Sequence, residues 1–174
     1  MPDLVRRAQR GDMDAYEELV TTQSASVYRL ARAYVGDAGA PDLAQDVFVA
    51  AWRALPGLRD TGAFGPWLHR IAVNRCRSAV RGSGRVREIP MDDVTADRAA
   101  DTRDGFRAAE ARAVVEPAFR RLGEEPRALI ALHYAAGLSI RECADALGIP
   151  EGTAKSRLNA ALAALRADIG RGEP

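Results

Sequence analysis

Apolar residues recur along this chain at three- and four-residue spacing, and no run of Val, Ile, Thr and aromatics alternates with polar residues. The first pattern lines one face of a helix; the second would line one face of a strand. Only 6% of residues are aromatic, and Ala and Leu are abundant, so the chain is predicted to be all-α. Its 174 residues, 47% of them hydrophobic, suffice for two small domains with buried cores.

Breaks in the pattern set the organisation. Ala15, Leu19, Val27, Leu30, Ala31 and Tyr34 predict a helix from Asp12 to Val35, ended by Gly36 to Gly39. A second helix is expected from Pro41 to Leu55, with Leu43, Val47, Ala50 and Ala54 as its core stripe, stopping at Pro56-Gly57. After the loop GLRDTGAFG a third runs from Phe64 to Arg81. Residues 83–104 lack a sustained apolar face and carry six acids against four arginines, the composition of a flexible acidic linker. Helical spacing resumes from Phe106 to Leu122, with Pro117 expected to kink or divide that helix. The expected architecture is two small helical domains, 1–82 and 105–170, joined by the linker 83–104.

The stretch GLSIRECADALGIPEGTAKSRL has the punctuation of a helix-turn-helix. Ser139 and Glu142 fit a capping box, Gly148 a left-handed helix stop, and Pro150 the start of the next helix. Ala144 and Gly148 are small where the two helices must cross. On the second helix Ala154, Leu158, Ala161 and Leu165 form a core stripe. Lys155, Ser156 and Asn159 lie on another face near its start, where such a helix meets base edges in the major groove.

Two other faces stand out. Arg70, Asn74, Arg77 and Arg81 recur at i, i+4, i+7 and i+11, a basic stripe that starts beside Trp67 and His69 and suits nucleic-acid backbone with base stacking. On the Pro41–Leu55 helix, Asp42, Gln45, Asp46, Val49 and Trp52 oppose the core stripe, and a Trp and a Val on an acidic outer face suggest a protein docking surface. Taken alone, either face also fits plain solvent exposure, with Trp52 folding back onto Arg53 or the next loop.

Other chemistry is thin. Cys76 and Cys143 lack metal-site spacing and read as buried free thiols; His69 and His133 are isolated. No nucleophile–base pair, phosphate loop or metal cluster points to an enzyme, a cofactor or a small-molecule substrate. No signal peptide or bilayer-length apolar run is visible, so a cytoplasmic protein without membrane insertion is expected.

Three motifs in order, DLAQDVFVAAWRAL, FGPWLHRIAVNRCRSAVR and GLSIRECADALGIPEGTAKSRL, resemble a bacterial RNA polymerase sigma factor of the short extracytoplasmic function type. The resemblance spans residues 5 to 167. It implies that the first domain binds core RNA polymerase through Asp42, Gln45, Asp46, Phe48, Val49 and Trp52. It implies a −10 reader made of the loop residues Arg59, Asp60, Thr61 and Phe64, followed by Trp67, His69, Arg70, Asn74, Arg77 and Arg81. The second domain is implied to read duplex −35 DNA through His133, Arg141, Thr153, Lys155, Ser156, Arg157 and Asn159. The implied partners are core polymerase, promoter DNA and an anti-sigma factor. The chain departs from the family pattern at Ser78, often Asp, at His133, often Arg, and at Ala160 and Leu162, where arginines are common. A protein-interaction module that titrates an anti-sigma factor is the alternative reading, and a free-standing helix-turn-helix repressor a third.

Overall fold

The computed structural model describes residues 1–82 and 114–171. Among these, all regular structure is helical: α1 (Pro2–Gln9), α2 (Met13–Ala54), α3 (Phe64–Gly82), α4 (114–121), α5 (Glu124–Ile130), α6 (Ile140–Leu147) and α7 (Glu151–Arg171). Two short 3-10 turns, Leu55–Gly57 and Thr61–Ala63, join α2 to α3, and α5 runs into a π turn at Ala131–Ala135. The all-α expectation is met, as two helical clusters, residues 1–82 and 114–171. The linker expected at 83–104 lies outside the described residues.

Helix α1 was not among the predicted elements. Its eight residues hold two buried apolar side chains, Val5 and Ala8, too few for a periodic signal. Its place is set by Gln9, whose amide donates to the carbonyls of Leu55 and Leu58 at 3.0 and 2.7 Å. Asp12 then caps α2, accepting from the Ala15 N–H at 3.0 Å and from Arg7 at 2.8 Å. The Ala15 amide, then Arg7, hold its carboxyl below the usual range.

The break in α2 is narrower than predicted. Gly36 alone leaves helical geometry, at φ 73° and ψ −178°, and the chain resumes a helix that passes through Pro41. Only glycine adopts that φ without strain. In the second arm the core stripe tilts: Leu43, Ala44, Val47 and Ala51 are buried, while Ala50 is only half-buried and Ala54 exposed. Leu55, fully buried in the following turn, closes that end of the core. Pro117 does not divide its helix, which runs unbroken over 114–121.

The two clusters pack against each other, α3 on α6 and α2 on the π turn. Arg29 of α2 donates through Nε to the Ala135 carbonyl at 2.8 Å and through Nη2 to that of Ala136 at 3.4 Å. Those carbonyls end a helical run and have no helical N–H ahead of them, so a guanidinium is a fitting partner. At the far end of α3, Arg81 bonds Glu124 at 2.8 Å, with Arg77 4.0 Å from the same carboxylate. Both cysteines are buried and free, and burial pushes each thiol up to about 12.

Candidate nucleic-acid interface

The helix-turn-helix is built as its sequence suggests. The Ser139 hydroxyl accepts from the Glu142 N–H at 3.2 Å, and the Glu142 carboxylate accepts from the Ser139 N–H at 2.8 Å. The Ser139 hydroxyl, which donates to that carboxylate at 2.7 Å, and then the Ser139 N–H hold the Glu142 carboxyl below its usual range. Gly148 sits at φ 68°, with Ile149 N–H reaching the Ala144 carbonyl at 3.1 Å and Gly148 N–H that of Asp145 at 3.4 Å. This double closure is the Schellman stop. Pro150 stands one place earlier than expected: its carbonyl accepts from Ala154 N–H at 3.0 Å, so it caps α7 from outside.

On α7, Ala154, Leu158 and Ala161 are buried, and Lys155, Ser156, Arg157 and Asn159 are exposed. Arg157 is held in an ion pair with Glu125 of α5. Thr153 is half-buried and Arg141 exposed. His133 is half-buried, its Nδ1 2.7 Å from the Leu138 carbonyl; a carbonyl only accepts, so that nitrogen carries the proton. The two departures at 160 and 162 differ in kind. Ala160 is exposed, whereas Leu162 packs against the core. An arginine at 162 would therefore replace a packing contact.

The basic stripe of α3 is continuous in sequence but divided in space. Arg70 and Asn74 are exposed, as is Arg75, which the spacing argument passed over. Arg77 and Arg81 turn to Glu124. Trp67 is half-buried and leans on Phe64, ring centroids 5.8 Å apart; Phe64 is itself buried. In the preceding loop Arg59 is exposed, Thr61 half-buried, and Asp60 pins the turn by accepting from Gly62 N–H at 2.9 Å.

His69 does not stand on the exposed face where the sequence reading placed it. It is 4% exposed, with Nδ1 donating to the Gly65 carbonyl at 2.9 Å and Nε2 3.0 Å from the Ser26 hydroxyl. It ties the start of α3 to α2. Burial is the largest influence and lowers its pKa from 6.5, against opposing contributions from Gly65 and Glu142. A lowered histidine pKa means the folded chain resists the proton that the unfolded chain accepts. Stability is therefore complete above about pH 6.5 and falls as pH drops toward the folded value, where it levels. We expect the melting temperature to decline between pH 7.5 and 5.5, and His69→Gln to flatten that decline. A level profile across this range in the native chain would contradict the assignment.

The acidic face of α2 is exposed at Asp42, Gln45, Asp46 and Val49, the last 41% accessible. Trp52 folds back, though onto neither Arg53 nor the next loop: it meets Tyr16 at 4.7 Å between ring centroids. Tyr16 in turn donates to the Phe48 carbonyl at 2.5 Å, and burial pushes its phenol up to about 12. Phe48 and Trp52 are half-buried and brace the face from behind.

Across the packed clusters, Asp60, Gly62, Trp67 and Arg70 face Asp145, Gly148 and Pro150 over an open cleft of about 710 Å³. The loop before α3 thus looks at the turn between α6 and α7. Among the described residues no group of three or more His, Cys, Asp or Glu is placed to hold a metal, and no helix is long and apolar enough to cross a membrane.

Comparison with known proteins gives matching results in both clusters. The family model for Sigma-70 region 2 matches residues 19–86, and that for Sigma-70, region 4 matches residues 114–165. The ECF RNA polymerase sigma-E factor of Escherichia coli (strain K12) is 34% identical over 167 residues, 89% of this chain and 86% of that protein. The RNA polymerase sigma-H factor of Pseudomonas aeruginosa is 35% identical over 168 residues, again 89% and 86%. CnrH, solved in complex with the cytosolic domain of CnrY, superposes with a TM-score of 0.74 at 26% identity, over 99% of this chain and 98% of that one. The sigma factor RpoE of Bartonella quintana, solved with the anti-sigma factor NepR, shares the fold at a TM-score of 0.64 and 21% identity, over 91% and 98%.

Proposed function

We propose, from the premise that this chain belongs to the extracytoplasmic function group of the sigma-70 family, that it binds core RNA polymerase and directs initiation at promoters by reading −10 and −35 elements. The observation that carries the −35 reading is the exposed row Lys155, Ser156 and Asn159 on the first turns of a capped helix-turn-helix. Lysine suits phosphate or guanine, asparagine pairs bidentately with adenine, and serine serves either. Arg157 joins them on release from Glu125, with His133, Arg141 and Thr153 at the margin. With Leu162 committed to packing and Ala160 too short, this reader has a reduced grip on phosphate. Each lost phosphate contact lowers the salt slope by about 0.9.

For the −10 element we assign base capture to the loop Arg59–Thr61 with Trp67, and backbone contact to Arg70, Asn74 and, once free of Glu124, Arg77 and Arg81. His69 and Phe64 support this surface from within. Opening ten base-pair steps costs about 14 kcal/mol at ~1.4 each. Base-stacking contacts return about 1–3 kcal/mol apiece. The chain alone does not melt a promoter, and the acidic face of α2 is the surface we assign to the polymerase that supplies the rest. The likeness to CnrH, solved with another protein's cytosolic domain, supports a protein antagonist for this chain as well. The setting of this activity is the cytoplasm.

The test is transcription in vitro with core polymerase on a randomised promoter library. Specific initiation is expected to yield both elements at once. Lys155→Ala with Asn159→Ala is expected to reduce −35-dependent initiation about tenfold or more, since a bidentate base contact is worth about 1–3 kcal/mol. Equal output from promoters with and without the −35 element would remove DNA reading from α7. No initiation at all, with tight binding to an anti-sigma factor, would favour the titrating module, to which the Leu162 departure also leans.

A further inference from the structure

Between the two clusters lies a cavity that the assigned DNA and polymerase surfaces leave unused. It has a volume of about 30 Å³ and is lined by Arg32 and Tyr34 of α2, Glu116 and Arg120 of α4, and Arg127 of α5. Its lining carries three arginines against one glutamate. The Nη2 of Arg32, the Nε of Arg127 and the hydroxyl of Tyr34 are all buried and make no hydrogen bond. Arg32 has a side chain only 11% exposed, and its Nε is ion-paired with Asp37 at 2.9 Å while its Nη2 makes no hydrogen bond. Arg127 already gives Nη2 to the Leu122 carbonyl at 2.9 Å and to that of Arg120. Glu116 is paired with Arg120. Burial pushes the Tyr34 phenol up, so it remains a neutral donor.

Buried donors without acceptors are costly, and buried guanidinium groups more so. Three such donors on residues lining one cavity call for a group that only accepts. Water satisfies this poorly, because it brings two protons of its own that need acceptors. The cavity is small, so a single small anion is the group it suits best.

We infer that this cavity binds a single monatomic anion, chloride in its simplest form, held by Arg32 and Tyr34 from one cluster and Arg127 from the other. Because its donors come from both clusters, the site exists only while they are packed. By linkage the anion therefore favours the packed arrangement over any separated one.

Two measurements on the full chain test this. Crystals soaked in bromide should show an anomalous peak among Arg32, Tyr34 and Arg127. Chloride titrated into sodium gluconate at constant ionic strength should raise the melting temperature along a saturating curve. Tyr34→Phe, which keeps the ring's shape, should weaken the half-saturation point about fivefold to tenfold, the worth of one hydrogen bond. Arg32→Gln should abolish the response. An empty or water-filled cavity in the bromide crystals overturns the inference. So does a response that grows without saturation and is the same in both variants, which is general salt action on the protein surface. Neither readout involves promoter or polymerase, so the inference stands or falls apart from the proposed function.

Discussion

Asp46→Arg is expected to lower affinity for core RNA polymerase at least tenfold, about 1.4 kcal/mol or more, and to leave the fold intact. Asp46 lies on the outer face of α2, exposed, between Asp42 and Val49. An acidic face with an accessible Val and a braced Trp implies a basic partner surface with an apolar centre. Reversing one charge there places like charges opposite each other, which costs more than deleting the attraction. The side chain makes no core contact, and exposed substitutions of this kind change stability within about 0.5 kcal/mol. The measurement is a titration of labelled chain with core enzyme, beside a melting curve. Unchanged affinity would remove this face from the polymerase interface; a collapsed melting curve would mean the charge supports the fold.

Arg29→Ala is expected to shift the balance from packed toward separated clusters by about tenfold to a hundredfold. Arg29 joins the carbonyls of Ala135 and Ala136 to α2, and a hydrogen bond with a charged partner is worth about 1.5–3 kcal/mol. The Arg81–Glu124 pair is the natural comparison. Its side chains are 58% and 55% exposed, so the pair is screened by solvent and worth about 0–1 kcal/mol. Glu124→Ala should therefore open the chain much less than Arg29→Ala does. Small-angle scattering reads this directly as a larger radius of gyration. An unchanged profile in Arg29→Ala, or a larger change in Glu124→Ala, would reverse this ranking.

What was legible in the sequence follows from range. The helix-turn-helix was, because a capping box, a left-handed glycine and a proline start are all made by neighbours along the chain. The long helices were, because their buried residues repeat every three or four positions. Helix α1 was not, since two buried residues make no period. His69 was misplaced because a histidine beside a basic stripe looks functional until Ser26, 43 residues away, is seen to partner it. The division of the Arg70–Arg81 stripe depends on Glu124, beyond a segment whose length hides who meets whom. Arg29 and Arg32 gave no signal at all, and Tyr34 only that of a core-facing position, because an arginine or tyrosine on a helix face becomes informative only when its distant partner, or the lack of one, is known. Leu162 shows the converse: compared with its family the sequence flagged it, and packing explains why an arginine does not fit there without loss.

The cleft that brings the loop before α3 face to face with the turn after α6 has a metric consequence. Elements named for positions −10 and −35 are centred about 25 base pairs apart, which is about 85 Å of duplex at 3.4 Å per step. Two surfaces that share one cleft cannot straddle that length. A chain reading both elements must lengthen like a caliper about the linker expected at residues 83–104. Shortening it by about half should spare recognition of either element alone while ending recognition of both on one promoter.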